Sequence, residues 1–246
     1  MNTKIYAHRG ASGYAPENTL AAFSLAVEQN ADGVELDVQL TRDKQLVVVH
    51  DERIDRVSDG TGRVCDISLR SLKKLKFGIN HMGYENEQMP TLEEVFDLLK
   101  DTKLNINIEL KNSILPYEGL EEYCLELSAK KGMEDRIVYS SFNHYSMLRL
   151  KKMNPYATCG ILYNCCIINP WDYAKKIGVD AIHPHFGELT LVPEECEKAH
   201  KLNIAVNTWT VNEEADMQHI MMSGADILIT NYPDRAIALA QSLFNL

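Results

Sequence analysis

The chain contains 246 residues, with 25 Lys or Arg and 35 Asp or Glu, so its formal net charge is −10. Hydrophobic residues make up 45% of it, which is typical of a folded globular protein and excludes a disordered one. The negative charge argues against nucleic acid and anionic membranes as partners, because both bind basic surfaces. The six cysteines show no Cys-x-x-Cys spacing, and no signal segment or membrane-spanning apolar run is present, so we expect a cytoplasmic protein.

Predicted strands and helices alternate along the whole chain. The predicted strands cover 4–8, 33–40, 46–50, 104–111, 136–142, 158–163, 180–185, 204–209 and 226–231. The predicted helices cover 17–30, 91–101, 117–131, 143–153, 170–177, 193–201, 212–222 and 233–244. Thr91 and Glu94 have the spacing of a capping box, and Pro233 suits the first turn of the last helix. Such alternation indicates a parallel sheet.

Eight βα units, with 46–50 as an extra strand beside the second, fit a closed (β/α)8 TIM barrel of the α/β class. An open doubly wound sheet is the alternative, although no glycine-rich nucleotide-binding motif supports it. Residues 52–89 interrupt the alternation, contain four glycines and include a short helix-like stretch at 71–76. We expect one domain over 1–246 with 52–89 as an insertion at the C-terminal rim of the barrel. A homodimer is left open.

Two of the predicted strands, 33–40 and 104–111, alternate apolar with polar side chains. Because successive side chains of a strand point to opposite faces, one set should face the helices and the other the barrel interior. The polar residues expected inside are Glu35, Asp37, Gln39, Asn105, Asn107, Glu109 and Lys111. Two carboxylates about 4 Å apart repel by roughly 4 kcal/mol, and one lysine cannot neutralise three acids. Glu35, Asp37 and Glu109 are therefore predicted to bind one hard divalent cation, Mg²⁺ or Ca²⁺; protonated acids or internal ion pairs are the alternative.

Two histidines are predicted at strand ends near this acidic cluster. His8 ends the first strand and precedes Arg9, and His50 ends the strand at 46–50. One imidazole can act as general base while the other acts as general acid, and a guanidinium matches phosphate oxygens. The combination favours phosphodiester chemistry, although a histidine at a strand end is often structural. His183 and His185, also at a strand end, are predicted to be structural or to support the site.

Several motifs occur in one order between residue 4 and about residue 235. They are His8-Arg9-Gly10, Pro16-Glu17-Asn18-Thr19, Glu35-Leu36-Asp37, His50-Asp51, Glu109-Leu110-Lys111, Trp209-Thr210-Val211-Asn212 and the run 224–233. The sequence resembles the glycerophosphodiester phosphodiesterase family in these motifs and in the insertion after the histidine strand. Asn231 departs from the resemblance, because an aspartate is frequent there, and it is interpreted as the start of the last helix.

The resemblance implies a TIM barrel and a role for each matching residue. His8 and His50 would be the catalytic acid/base pair, in either order. Arg9 and Lys111 would hold the substrate phosphate, and Trp209 and Phe142 would form part of the substrate wall, although both aromatics could instead be core residues. Glu35, Asp37 and Glu109 would bind the cation.

The implied reaction is hydrolysis of a small glycerophosphodiester to sn-glycerol 3-phosphate and an alcohol. By analogy with similar phosphatidylinositol-cleaving barrels, the substrate's own 2-hydroxyl is a candidate for the first nucleophile. Two alternatives stay open. One is a lysophospholipase D, which would need an apolar groove, and the scattered apolar residues of 52–89 argue against it. The other is a non-catalytic phosphodiester-binding barrel, against which the presence of both His8 and His50 argues.

Overall fold

A computed structural model of the chain describes residues 3–192 and 194–244. The strands in these residues are β1 (Lys4–His8), β2 (Gly33–Leu40), β3 (Leu46–Val48), β4 (Asn105–Leu110), β5 (Ile137–Ser141), β6 (Thr158–Tyr163), β7 (Ala181–Pro184), β8 (Ala205–Thr208) and β9 (Ile227–Thr230). All of them except β3 pair in parallel, and the pairing of β1 with both β2 and β9 closes the sheet. The predicted (β/α)8 barrel is therefore confirmed, and the open doubly wound sheet is excluded.

Helices follow the barrel strands and cover the outside of the sheet. They are α1 (Leu20–Glu28), α2 (Leu69–Leu72), α3 (Leu92–Leu99), α4 (Leu120–Lys131), α5 (His144–Met153), α6 (Pro170–Ile177), α7 (Phe186–Leu191), α8 (Glu195–Lys201), α9 (Glu214–Ser223) and α10 (Pro233–Phe244). The predicted capping box is present, because Thr91 accepts from the Glu94 backbone and the Glu94 side chain accepts from the Thr91 backbone. No helix in the described ranges is long and apolar enough to cross a membrane.

Three helix predictions need correction. The helix-like stretch at 71–76 is instead the four-residue α2, which begins and ends earlier. Helix α7 was not predicted, because its six residues are too few to show a helical apolar period. The helix predicted over 193–201 begins at Glu195, and Pro193 lies outside the described residues.

Strand β2 shows how the two faces of the barrel wall differ. Val34, Leu36 and Val38 are fully buried against the helices, where each side chain contributes about 1.5–3 kcal/mol through burial. The alternate residues point inward, as the two-residue period requires. Toward the bottom of the barrel the interior becomes apolar, with Tyr6 and Ile229 packed together. Polar groups therefore concentrate at the C-terminal end, above this apolar layer.

Strand β3 and the insertion leave the barrel and return to it. Strand β3 runs antiparallel to the end of β2, with Val48 opposite Val38. It ends at Val48, so the prediction that His50 closes a strand over 46–50 is wrong. The Val49 amide still donates to the Asp37 carbonyl, which continues the antiparallel register by one residue, and His50 follows outside the strand. The insertion has its own small core, whose members are Val47, Val49, Ile54, Val64, Leu72, Phe77 and Met89.

Candidate active site at the C-terminal rim

Three carboxylates meet inside the C-terminal end of the barrel. Glu35 and Asp37 lie on β2, and Glu109 on β4 is the register partner of Asp37. One carboxylate oxygen from each residue lies within 4.8 Å of the other two. In the described part of the chain, this is the one group of three or more acids, histidines or cysteines close enough to share a metal ion. The predicted convergence of the three acids is thus observed.

The three carboxylates differ in their preferred protonation. Burial, followed by the charges of Asp37 and Glu109, raises the pKa of Glu35 well above its usual value. Burial and the Asp37 charge likewise raise the pKa of Glu109. Burial also acts to raise the pKa of Asp37, but the charges of Arg9 and Lys111 outweigh it and keep the pKa below its usual value. Arg9 and Lys111 therefore stabilise the ionised form of Asp37, but they do not fully offset the repulsion among the three carboxylates.

Two cations and one amide contact the cluster. Arg9 Nε lies 3.3 Å from Asp37 Oδ2, and Lys111 Nζ lies 2.8 Å from Glu109 Oε1 and 3.8 Å from Asp37 Oδ1. Asn18 donates to Asp37 Oδ2 at 2.9 Å. From the sequence, Lys111 was predicted to neutralise part of the acidic charge, and Arg9 was predicted to bind the substrate phosphate. The structure brings both of them to the acids.

The residues present fit a hard divalent cation. Asp37 is 1% exposed, and its Oδ1 atom is buried with no hydrogen-bond partner. A buried carboxylate oxygen without a partner is costly, and ordinary internal hydrogen bonding would have satisfied it. All three donors are carboxylate oxygens, which Mg²⁺ and Ca²⁺ prefer over other ligand types. The geometry therefore favours a cation site over a set of closed internal ion pairs.

His8 lies beside the cluster at the end of β1. Its Nε2 atom is 3.9 Å from Glu35 Oε2, and its Nδ1 atom is 2.7 Å from Asn231 Oδ1. Because an amide oxygen only accepts, Nδ1 carries the proton and Nε2 is left as the acceptor. Burial, aided by the neighbouring Arg9 charge, lowers the pKa of His8 to about 4. The neutral form of His8 is therefore favoured, and its Nε2 atom, 3.5 Å from the Thr210 hydroxyl, faces the acids.

His50 approaches the cluster from the loop after β3. Its Nδ1 atom donates to Asp51 Oδ1 at 2.6 Å, so its partner is a carboxylate and not an amide. His50 is near enough to influence the pKa of both Asp37 and Glu109. The two predicted histidines thus flank the same cluster with different hydrogen-bond partners.

Trp209 and Phe142 form an aromatic side of the site. Their ring centroids are 5.5 Å apart with the planes nearly perpendicular, and Trp209 Nε1 donates to the His183 carbonyl at 2.9 Å. Trp209 lines a small cavity, and Phe142, which packs on Trp209, is 37% exposed. The residues around this cavity are His8, Glu35, Asn107, Glu109, Leu162, His183, Trp209 and Ile229. Both aromatics therefore lie where a substrate wall is expected.

The two other histidines at a strand end have different environments. His183 points into the barrel, where Gly160 leaves room for it: a Cβ there would lie 2.2 Å from its Nε2. His183 is fully buried, and burial lowers its pKa to about 3. His185 caps helix α7 by accepting from the Gly187 amide, and its ring packs against Trp209. These contacts agree with the predicted supporting roles, which remain predictions.

Three contacts of the site, made by Asn231, Gln39 and Arg56, were not predicted from the sequence. Asn231 precedes α10 instead of starting it, and it binds His8. Gln39 was expected to point inward, but its bonds to the backbone around His50 were not foreseen. Arg56 reaches back from the insertion to Asp51. Asn231 could have been found from the sequence, because it is a polar residue within the matching run 224–233. The contact of Arg56 with Asp51 leaves no periodic pattern in the sequence.

Comparison with known proteins gives a match along nearly the whole chain. The model of the glycerophosphoryl diester phosphodiesterase family matches residues 8–235. A relative from Caldanaerobacter subterraneus, named glycerophosphodiester phosphodiesterase, is 42% identical over 98% of this chain and 99% of its own. A relative with the same name from Bacillus subtilis is 33% identical over 93% of this chain and 83% of its own. The chain thus spans most of the length of both relatives.

Solved structures give the same result for the fold. A structure from Silicibacter pomeroyi has a TM-score of 0.90 at 22% identity, covering 98% of this chain and 94% of its own. A phosphodiesterase from Oleispira antarctica, solved in complex with the product sn-glycerol-3-phosphate, is 28% identical. Its TM-score is 0.84, with 97% of this chain and 96% of its own covered.

Proposed function

The chain belongs to the glycerophosphoryl diester phosphodiesterase family and is a phosphoric diester hydrolase, and from this premise we propose how its own residues perform the reaction. The substrate is a glycerophosphodiester, and the products are sn-glycerol 3-phosphate and an alcohol. The Oleispira antarctica phosphodiesterase, whose solved complex contains that product, supports this choice. The enzyme class argues against the alternative of a non-catalytic binding barrel.

One observation carries the proposal. Glu35, Asp37 and Glu109 leave a buried, unpartnered oxygen on Asp37, and His8 and His50 flank the group. We propose that the three acids hold one Mg²⁺ or Ca²⁺ ion. When bound, the cation supplies Lewis-acid stabilisation of the negative charge that develops on the phosphate. Arg9 and Lys111, both beside Asp37, are proposed to hold the phosphate oxygens through charge-assisted hydrogen bonds.

The hydrogen-bond partners of the histidines support an assignment of base and acid. Asn231 holds the Nδ1 proton of His8, so Nε2 can accept the proton of the attacking hydroxyl. Asp51 accepts the Nδ1 proton of His50, which leaves Nε2 as the nitrogen that can pass a proton to the leaving group. We therefore propose that His8 is the general base and that His50 donates a proton to the leaving alkoxide. The attacking hydroxyl is that of water, which gives sn-glycerol 3-phosphate directly, or the 2-hydroxyl of the substrate, which gives a cyclic phosphate that water then opens.

The test is release of glycerol 3-phosphate from a panel of glycerophosphodiesters carrying choline, ethanolamine or glycerol. The purified protein is assayed after treatment with a chelator, and then after addition of Mg²⁺ or Ca²⁺. We expect activity to disappear with the chelator and to return with at least one of the two ions. Full activity after complete removal of divalent ions would overturn the cation site. A 2-deoxy substrate that is hydrolysed normally would exclude attack by the 2-hydroxyl.

A lysophospholipid is a second candidate substrate, and exposed apolar side chains around the site favour it. Ile114, Tyr145, Ile168 and Leu191 follow four successive strands at the C-terminal rim, and they are 73%, 76%, 90% and 68% exposed. The insertion contributes little to such a surface, because most of its apolar residues form its own core. Glycerophosphocholine therefore remains the first choice over lysophosphatidylcholine. Hydrolysis of the lysolipid at a higher kcat/KM would reverse this order.

The remaining predictions concern organisation and location. We propose that the barrel and the insertion at 52–89 function as one domain, because Arg56 of the insertion bonds to Glu17 of the barrel. Cytoplasmic location and a homodimer stay predictions.

A further inference from the structure

Arg56 lies on the insertion and joins two carboxylates of the active-site rim. Its Nε atom donates to Asp51 Oδ2 at 2.7 Å, while its two terminal nitrogens donate to the two oxygens of Glu17 at 2.7 and 2.8 Å. Its side chain is 50% exposed. Exposed ion pairs contribute only about 0–1 kcal/mol to stability. Three aligned bonds from one planar group are therefore better explained by the groups that they orient.

Both carboxylates contact residues of the proposed catalytic site. The other oxygen of Asp51 accepts from His50 Nδ1 at 2.6 Å. Glu17 also accepts from Arg9 at 2.8 Å, and Arg9 is the cation next to Asp37. An unbroken series of bonds thus runs from His50 through Asp51, Arg56 and Glu17 to Arg9.

We propose that Arg56 is a positioning residue that fixes the imidazole of His50 through Asp51 and, by the second branch, the guanidinium of Arg9 through Glu17. This inference rests on the proposed role of His50 as an acid. The insertion would then contribute to catalysis by orienting residues of the site, without contacting the substrate itself.

The backbone around His50 is already held by another residue, which leaves the ring to be fixed by Arg56. Gln39 is fully buried, and its side-chain nitrogen lies 3.0 Å from the carbonyls of Val49 and His50 and 2.8 Å from that of Asp51. These bonds fix the main chain but not rotation of the imidazole about its side-chain bonds. The Asp51 carboxylate sets that rotation, and Arg56 holds the carboxylate.

Charge and geometry are separable at Arg56. Removing the guanidinium leaves the negative charges of Glu17 and Asp51 less neutralised. These two carboxylates lie beside a site that binds an anion, so the loss of charge can itself weaken substrate binding. A lysine restores the charge but cannot make the planar, forked contact with two carboxylates at once. The variant Arg56→Lys therefore tests geometry, and Arg56→Met tests charge and geometry together.

Arg53 provides the matched control, since it lies on the same segment, is 56% exposed and pairs with Asp55. We expect Arg56→Met to lower kcat for glycerophosphocholine about 10- to 100-fold, because small misplacements of a catalytic group have effects of this size. Arg56→Lys should remain at least about fivefold below the wild type. Arg53→Met should stay within about twofold of it, and the melting temperatures should agree within about 2–4 °C.

A double-mutant cycle with His50→Ala tests whether Arg56 acts through His50. In the His50→Ala background, Arg56→Met should lower kcat by a clearly smaller factor than in the wild type, and the loss that remains is the part that acts through Glu17 and Arg9. An undiminished further loss, full activity of Arg56→Lys, or equal activity of Arg56→Met and Arg53→Met would each overturn the inference. If Arg56→Met does not fold, Arg56→Lys replaces it both in the comparison with Arg53→Met and in the double-mutant cycle. Full activity of His50→Ala would instead overturn the proposed function of His50.

Discussion

The two histidines of the site are held by two different regions of the molecule. His8 ends a barrel strand, and its partner Asn231 follows the neighbouring strand β9, so the parallel sheet itself brings the pair together. His50 lies outside the barrel, and its position depends on side-chain bonds from Gln39, Asp51 and Arg56. The proposed catalytic pair thus combines one histidine fixed by strand register with another fixed by a polar network. The second arrangement depends on single side chains and is more easily broken by substitution.

The first prediction removes each histidine in turn. His8→Ala and His50→Ala should each lower kcat about 10²- to 10⁴-fold, which is the usual contribution of a general acid or base. His219→Ala, on an exposed position of α9, is the control and should leave kcat unchanged. Steady-state release of glycerol 3-phosphate measures the effect. If either active-site variant matches the His219 control, that histidine has no part in proton transfer.

The second prediction exchanges the two kinds of histidine partner. Asn231→Asp puts a carboxylate beside His8 and should raise its pKa above about 4. The base is then protonated at higher pH, so the acidic limb of kcat/KM should move upward by about one pH unit. Asp51→Asn replaces the carboxylate that accepts from His50 Nδ1 and should lower kcat, because the ring loses a charge-assisted hydrogen bond. Activity profiles between pH 4 and 10 provide the measurement, and an unmoved acidic limb in Asn231→Asp would contradict the assignment of His8 as the base.

The third prediction concerns the acidic cluster in the metal-free protein. The raised pKa values of Glu35 and Glu109 mean that the folded state binds protons more tightly than the unfolded state. The stability of the metal-free protein should therefore fall as pH rises through these raised values. Glu35→Gln removes one of the three like charges, so at pH 7 it should raise the metal-free melting temperature by about 2–4 °C per kcal/mol gained.

The same substitution should remove the further stabilisation that Mg²⁺ or Ca²⁺ gives the wild type. Thermal unfolding with and without each ion provides the measurement. A Glu35→Gln protein that is less stable without metal and still stabilised by it would show that Glu35 is a structural partner only.

The smallest expected effect lies deeper in the barrel, at His183. Its pKa of about 3 means that the buried ring stays neutral while the unfolded ring gains a proton below about pH 6.5. Its contribution to stability is complete above pH 6.5 and is lost as pH falls toward 3. His183→Gln should therefore flatten the fall in melting temperature over this range. A slope equal to that of the wild type would mean that His183 does not titrate on unfolding.

Much of the site was predictable because strand periodicity is local. The alternation in β2 and β4 correctly predicted that Glu35, Asp37 and Glu109 face one another, since neighbouring parallel strands keep their register. The prediction for His50 was wrong, because β3 ends at Val48 and His50 lies in the loop that follows it, where side-chain bonds from Gln39 hold the backbone. The contact of Asn231 with His8 was not predicted because the two residues are far apart in the sequence. The contact of Arg56 with Asp51 was not predicted because Arg56 lies in a loop without periodicity.

The sequence by itself determined the barrel and the convergence of the three acids, because these follow from apolar periodicity, and it singled out both histidines through the motifs that contain them. Only the tertiary structure decided which partner each histidine has, that Asp37 retains an unpartnered buried oxygen, and that Arg56 joins the insertion to the rim. Periodicity specifies the face on which a side chain lies. A hydrogen bond between distant residues requires distances of about 3 Å, which only the packed chain fixes.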